Sequence, residues 1–176
     1  MTASPAPGMR IRSWLWDYLV ILAWLVLLFL VGGVPVLAGW LDPSAIWENR
    51  ILYDVTITAL TVVPLWLYLT FTEAGSAHGT LGKRRAGLAV SARSQTISFG
   101  KVSVRNLVKV LPWQLGHMGA ARLATEVETS PLAVTFTTLS LISLAAVAGP
   151  PLLGRRGIHD MVAGTDVVTA DSPNTG

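Results

Sequence analysis

Three long stretches of the chain contain almost no polar side chains. Residues 14–40 form the first, interrupted by Asp17 and, near the far end, by Gly32, Gly33 and Pro35. Residues 51–72 form the second, with Pro64 inside it, and residues 132–153 the third, free of charge and rich in small residues such as Ala133, Ser140 and Ala146. The hydrocarbon core of a bilayer is about 30 Å thick and needs about 20 apolar helical residues to cross it. The pattern therefore predicts membrane helices over 13–40, 51–72 and 132–153, the second kinked at Pro64 and the third suited to close helix packing. The first stretch is too long for the apolar region of a cleaved signal peptide and reads as retained.

A fourth periodic segment covers residues 102–124 and is amphipathic. On a helical wheel Val104, Leu107, Val108, Leu111, Leu115 and Met118 fall on one arc, and Lys101, Arg105, Lys109, Pro112 and Gly116 on the opposite one, flanked by Asn106, Trp113 and His117. Two placements fit: a span with its polar face turned inward, or a helix lying in the membrane interface. Residues 87–91 and 165–169 read as short strands after glycine-containing turns and are expected to pair. Residues 1–8 and 171–176 read as disordered ends, and no internal repeat is present.

Composition agrees with this picture. Hydrophobic residues make up 52 % of the 176, charged residues only 13 %, and there is no cysteine. A soluble domain carries about 25 % charged residues. Intrinsic disorder and a disulfide scaffold are excluded, and three histidines with no thiolate leave little for a metal site. The fold class is an all-α integral membrane protein, a bundle of about four transmembrane helices with a small cytoplasmic β element.

Charge then sets the expected orientation. Arg10 and Arg12 precede the first span, and Lys83, Arg84, Arg85, Arg93, Lys101, Arg105 and Lys109 follow the second, whereas the connection between those spans carries Asp42, Glu48, Arg50 and Asp54. By the positive-inside rule both termini are cytoplasmic and the first loop external, with Trp14, Trp16, Trp40 and Trp47 as interfacial anchors. Four crossings place Arg155 and Arg156 inside and Glu126 and Glu128 outside; three would place both pairs against the rule. The bases flank the membrane segments, so the pI near 9.7 reports orientation and anionic lipid at the cytoplasmic face, and no nucleic-acid partner is expected.

Four separate stretches resemble the RDD family of small prokaryotic membrane proteins. Arg10 and Asp17 in RIRSWLWD match the arginine and first aspartate of that family's first helix. GTLGKRRAGLAV at residues 79–90 is similar to its signature after the second helix, RNLVKVLPW at 105–113 to its later arginine-bearing helix, and IHDMVAGT at 158–165 to its closing motif, with Asp160 as the second aspartate. The resemblance implies one membrane domain over 9–170. Function in the family is mostly unassigned; transport of unknown ligands, including cation/proton antiport, is what it implies. The sequence SARSQ at 91–95 departs from members that carry an Asp and a Gly there.

The candidate site residues are Arg10, Asp17, Glu73, Lys83, Arg105, Lys109, His117 and Asp160. Asp17 lies inside a span, where an ionised carboxylate needs a partner, water or a proton; Arg10 is about two turns away on the same face. It reads either as half of a structural ion pair with Arg105 or Lys109, or as a titrating proton or cation site. Glu73 closes the second span, where the helix dipole disfavours a carboxylate, so it is either an exposed acid or paired with Arg10, Lys83 or Arg105. Lys83, Arg84 and Arg85 read as topology determinants; the Gly79-x-x-Gly82-Lys83 spacing does not fit a phosphate loop. His117 is a buried neutral imidazole or a proton relay, His78 a solvated loop residue, and His159 a hydrogen-bonding neighbour of Asp160. Residues 157–168 are expected to form a structured lid, packed by Ile158, Met161, Val162, Val167 and Val168, with Asp160 near the Lys83–Arg85 triplet; the alternative is a mobile tail on the membrane surface.

No enzyme signature, cofactor motif or metal-ligand spacing is present, so no enzymatic activity and no cofactor are expected. The leading expectation is transport or antiport of a small ligand with Asp17 as the coupling acid. The competing one is an accessory or assembly subunit that transports nothing. The expected setting is a prokaryotic plasma membrane, as a homo-oligomer or as a subunit of a larger complex.

Overall fold

A computed structural model describes residues 5–93, 96–125 and 130–170. Its elements run α1 (Pro7–Leu37), α2 (Ser44–Glu48), α3 (Arg50–Ala74), α4 (Leu81–Arg85), β1 (Leu88–Ala92), α5 (Phe99–Thr125), α6 (Pro131–Leu152), α7 (Ile158–Ala163) and β2 (Thr165–Thr169). Among the described residues α1, α3 and α6 are long and apolar enough to cross a membrane. Helix α5 has 27 residues, about 40 Å at 1.5 Å per residue, but its polar face sets it apart from those three.

The first helix begins earlier than the sequence suggests. Pro7 and Gly8 belong to α1, because proline at the first helical position needs no N–H partner and already holds a helical φ; residues 1–4 and 171–176 lie outside the described residues, as do Glu126 and Glu128. Helix α1 ends at Leu37, ahead of Gly39 at φ 74°. Both α1 and α3 contain one wide π turn, at Phe29–Gly33 and Thr58–Val62. Each lies just before a proline, which cannot donate to the carbonyl four residues back. In α3 that carbonyl is Leu60 O, and the Trp24 indole N–H of α1 donates to it at 2.8 Å. The backbone group freed by Pro64 thus also ties the first two spans together.

Helix α5 packs along α6 and the second half of α3. A Cβ at Gly119 would stand 2.5 Å from Thr137 Oγ1 and 2.9 Å from its backbone nitrogen, so that glycine lets the two backbones approach closely. Next to it the Ser140 hydroxyl donates to Pro112 O at 2.8 Å. Val104, Leu107 and Leu111 face outward, while Val102, Arg105 and Asn106 are fully buried. The polar stripe on α5 therefore points into the bundle.

Strands β1 and β2 pair antiparallel, with Leu88 opposite Thr169 and Ala92 opposite Thr165. The expected pairing forms one residue later in β1 than the apolar pattern placed it. A small apolar cluster of Ala86, Leu88 and Val167, capped by Met9, seats the sheet against the start of α1. A second cluster, Val62, Leu69 and Val110, joins α3 to α5. The lid is ordered, but its apolar residues sit differently from the expectation. Ile158, Met161 and Val162 are exposed, and His159, Asp160 and Ala163 are buried. The short helix turns its polar side inward because its partners there are charged.

Candidate functional site

Among the described residues most of the large, fully buried side chains are polar, and several of them gather where α1, α3, α4, α5 and α7 meet. Glu73, at the end of α3, is completely buried. Its Oε1 accepts from Lys83 Nζ at 2.8 Å and from Lys109 Nζ at 3.0 Å, and its Oε2 accepts from an Arg105 guanidinium nitrogen. One carboxylate thus joins α3, α4 and α5. Lys109 also donates to Asn106 Oδ1 at 3.1 Å.

Arg105 continues the network to the lid. Its Nε donates to Asp160 Oδ1 at 2.9 Å, and the Thr165 hydroxyl donates to the same oxygen at 3.0 Å. His159 Nε2 stands 3.3 Å from the other carboxylate oxygen. Arg156 donates to the backbone carbonyls of Asp160 and Thr165 at 2.9 and 2.7 Å, fixing the turn between α7 and β2. Burial raises the cost of ionising Asp160, but Arg105 and His159 outweigh it and hold the carboxyl well below the usual carboxylate range. Burial dominates at His159 and pushes its imidazole down to about 4.

Asp17 is arranged otherwise. Its Oδ2 accepts from the Thr80 hydroxyl at 2.7 Å, and its Oδ1 from Gly82 N–H at 2.9 Å and Tyr68 O–H at 3.0 Å. Tyr68 in turn accepts from Leu81 N–H at 3.2 Å. Thr80 caps α4, its side chain accepting from Lys83 N–H. A Cβ on Gly82 would lie 2.1 Å from Ser13 O and 2.7 Å from Asp17 Cγ. Only glycine at that position lets α4 dock on α1.

These contacts correct three expectations and decide between the two readings of Glu73. Asp17 does not pair with Arg105 or Lys109, because Glu73 and Asp160 already hold both bases. Asp160 pairs with Arg105 and not with the Lys83–Arg85 triplet. The triplet itself divides: Lys83 turns inward to Glu73, while Arg84 and Arg85 are exposed, Arg85 stacking 4.2 Å over the Trp16 ring. Glu73 is no exposed acid, and the three bases that contact it are Lys83, Arg105 and Lys109. Arg10 is buried at the same end. His117 sits apart, half-buried in α5 with its ring 6.0 Å from Trp113, and His78 is half-buried in its turn. Tyr68, Thr80 and Thr165 were not singled out from the sequence, and Gly82 and Asn106 were named there only for a glycine spacing and a helix face. Thr80 alone carried a local signal, as a helix-capping threonine.

A cavity of about 190 Å³ opens beside these groups. Arg10, Asp17, Lys83, Arg105, Lys109 and His159 line its polar end. Leu65, Val110, Leu144 and Val147 line its apolar part, as do Tyr18 and Trp113, whose rings meet in a tilted contact with centroids 6.5 Å apart. Among the described residues no group of three or more acidic or imidazole side chains is placed to hold a metal ion.

A comparison against family models matches the RDD family over residues 4–164. The chain belongs to the RDD family. It is a membrane protein with apolar helices, and the resemblance read from its four motifs stands. No curated protein and no solved structure matches it. Within this RDD protein the arginine and two aspartates read from the motifs sit at one end of the bundle, Asp17 held by neutral donors and Asp160 by Arg105.

Proposed function

We propose that the chain is a four-crossing bundle with cytoplasmic termini that moves a small solute across a prokaryotic plasma membrane, without enzymatic activity. The fourth crossing rests on the sheet. Paired strands β1 and β2 lie on one side of the membrane, so an even number of crossings separates them; α6 is one, and α5 supplies the other. At the far end Arg122 donates to Asp54 at 2.9 Å, so α5 runs antiparallel to α3 along the whole of that span. A reporter inserted near Glu128 is expected outside, and one fused after Gly176 inside.

The observation that carries transport is Asp17. It is a buried carboxylate within a span, it lines a cavity, and among the described residues it contacts neutral donors and no base. A proton taken up there neutralises no ion pair, which suits a coupling acid. Cation/proton antiport and passage of another small ligand both use such a group. The bases on the cavity wall favour the second. In proteoliposomes loaded with a pH dye, pulses of sodium, potassium or a short carboxylate are expected to move protons with the wild-type chain and not with Asp17→Asn.

One observation favours the accessory-subunit reading. The most apolar part of α1 has no residue buried within the single chain, which leaves its whole face for lipid, a second copy or a larger complex. No flux from any pulse, together with a partner co-purifying at fixed stoichiometry, would establish that reading instead.

A further inference from the structure

The lid and the sheet beside it treat their apolar residues in opposite ways. Strands β1 and β2 bury Leu88, Val90 and Val167, as an element facing water does. Helix α7, directly before β2, does the reverse. Ile158, Met161 and Val162 stand 42, 61 and 58 % exposed, and their i, i+3, i+4 spacing gathers them into one stripe. His159, Asp160 and Ala163 form the buried side, where Arg105 and Thr165 hold the Asp160 carboxylate. Those ties decide which face turns in, so the apolar stripe has to find its cover outside the chain's own core.

An exposed apolar patch on an ordered element marks a surface that something covers. The position of α7 shows what does. His159 shares a cavity wall with Ala148 and Pro151 from the end of α6, and Asp160 reaches Arg105 about two turns inside α5. The lid therefore lies beside the ends of those helices and not past them. The exposed apolar surface of α6 runs on through Leu152 and Leu153, and only residues 154–157 separate it from Ile158. Arg155, exposed in that turn, puts a positive charge where the span meets the headgroups. A helix that is apolar on its outward side, polar on the other and flanked by a base suits the membrane interface, where such a face sinks about 5–10 Å into the headgroup–acyl boundary.

We infer that α7 is a lipid-embedded lid: Ile158, Met161 and Val162 sit in the interfacial layer of the bilayer beside the end of α6. Lipid then holds the lid from outside while Arg105 holds it from within. The inference goes beyond the transport reading and is independent of it, since it needs only that α6 spans the membrane.

The chain has no cysteine, so one introduced thiol can carry a fluorophore at a single place. The test labels Met161→Cys, and separately Ala170→Cys just past β2, with bimane in nanodiscs of phosphatidylcholine and phosphatidylglycerol. Each label is quenched by a phospholipid bearing a nitroxide near the head of its acyl chain and, in a second titration, by aqueous iodide. The ratio of lipid to iodide quenching is expected to be at least three-fold higher at 161 than at 170. Equal ratios would mean a lid facing water. A label at 161 shielded from both quenchers would mean a cover of protein, a second copy or another subunit. Either result would overturn the inference. Met161→Glu with Val162→Glu is expected to speed amide exchange over residues 158–163 at least ten-fold in the same nanodiscs, and unchanged exchange would also overturn it. Each labelled chain alters one exposed side chain, so the quenching decides the matter even where the double variant fails to fold. Proton flux is not part of the readout, and a chain that transports nothing leaves the inference standing.

Discussion

Glu73 and Asp17 are both buried acids on neighbouring spans, and the protein satisfies them by opposite means. Glu73 contacts three bases from two other elements. Asp17 contacts a hydroxyl, a phenol and a backbone amide. The first arrangement couples the carboxylate to charges that lose their partner if it is neutralised, so it suits a fixed structural joint. The second lets the acid change its charge and leave no buried base behind. Two acids of similar burial thus differ in what a proton does to each.

The sharpest way to break this comparison is to neutralise both. Glu73→Gln leaves Lys83, Arg105 and Lys109 crowded with no carboxylate between them. Removing one partner of a buried ion pair costs about 3–5 kcal/mol, so the variant is expected to lose most of its folded yield in detergent. An unchanged melting temperature would mean that the three bases are not held by this acid.

The lid gives the next largest effect, because its acid and its imidazole both titrate out of their usual ranges. His159 falls from 6.5 to about 4 in the fold. Between those values the unfolded chain binds a proton that the folded chain refuses, so stability is complete above about pH 6.5 and is lost as pH falls toward 4. At 1.36 kcal/mol per unit the loss approaches roughly 3 kcal/mol. Asp160, lowered in the fold, adds a further loss only once pH falls below the ordinary aspartate value near 3.9. A thermal melt series from pH 7 to 4 is expected to decline steadily, and His159→Gln to flatten that slope.

Asp17→Asn is expected to cost only about 1 kcal/mol, the scale of one altered hydrogen bond. The asparagine carbonyl still accepts from Gly82 and Tyr68, and the Thr80 hydroxyl reverses to accept from the new amide. The melting temperature should stay close to that of the wild type while the proton-coupled signal disappears. A loss as large as that of Glu73→Gln would show that Asp17 is held by charge after all and would end its candidacy as the coupling acid.

What the sequence displayed of this site follows from where each partner comes from. The three apolar spans and the two strands were visible because their signals are periodic and local. Glu73 was visible as a conflict, a carboxylate at a helix C-terminus, and two of its three bases were among those expected for it. The partners of Asp17 were not visible. They come from Tyr68 on the second span and from a five-residue helix docked through Gly82, and a backbone N–H has no letter in the sequence. The division of the Lys83–Arg85 run was hidden for a different reason. A run of three bases reads as one solvated patch, and only the direction of the α4 turn sends its first member inward and the other two out. The inverted lid was misread likewise, because apolar residues are expected to face inward and here the interior at that point is charged.

The smallest effect tests whether charge as such matters at this end or only buried charge. Arg93 Nε lies 2.7 Å from Asp166 Oδ2, as close as any contact of Glu73 with a lysine, but the arginine side chain is 61 % exposed. Asp166 also keeps Arg156 at 2.6 Å, so removing Arg93 leaves no acid without a base. The strand is further held by Arg93 N–H donating to Gly164 O, which an alanine retains. An exposed pair of this kind contributes between 0 and about 1 kcal/mol and is screened by salt. Arg93→Ala is therefore expected to shift stability by less than about 0.5 kcal/mol, and 0.5 M salt to erase even that difference. A loss comparable to that of Glu73→Gln would mean that geometry alone, and not burial, sets the strength of these pairs, and the contrast between Glu73 and Asp17 would lose its physical basis.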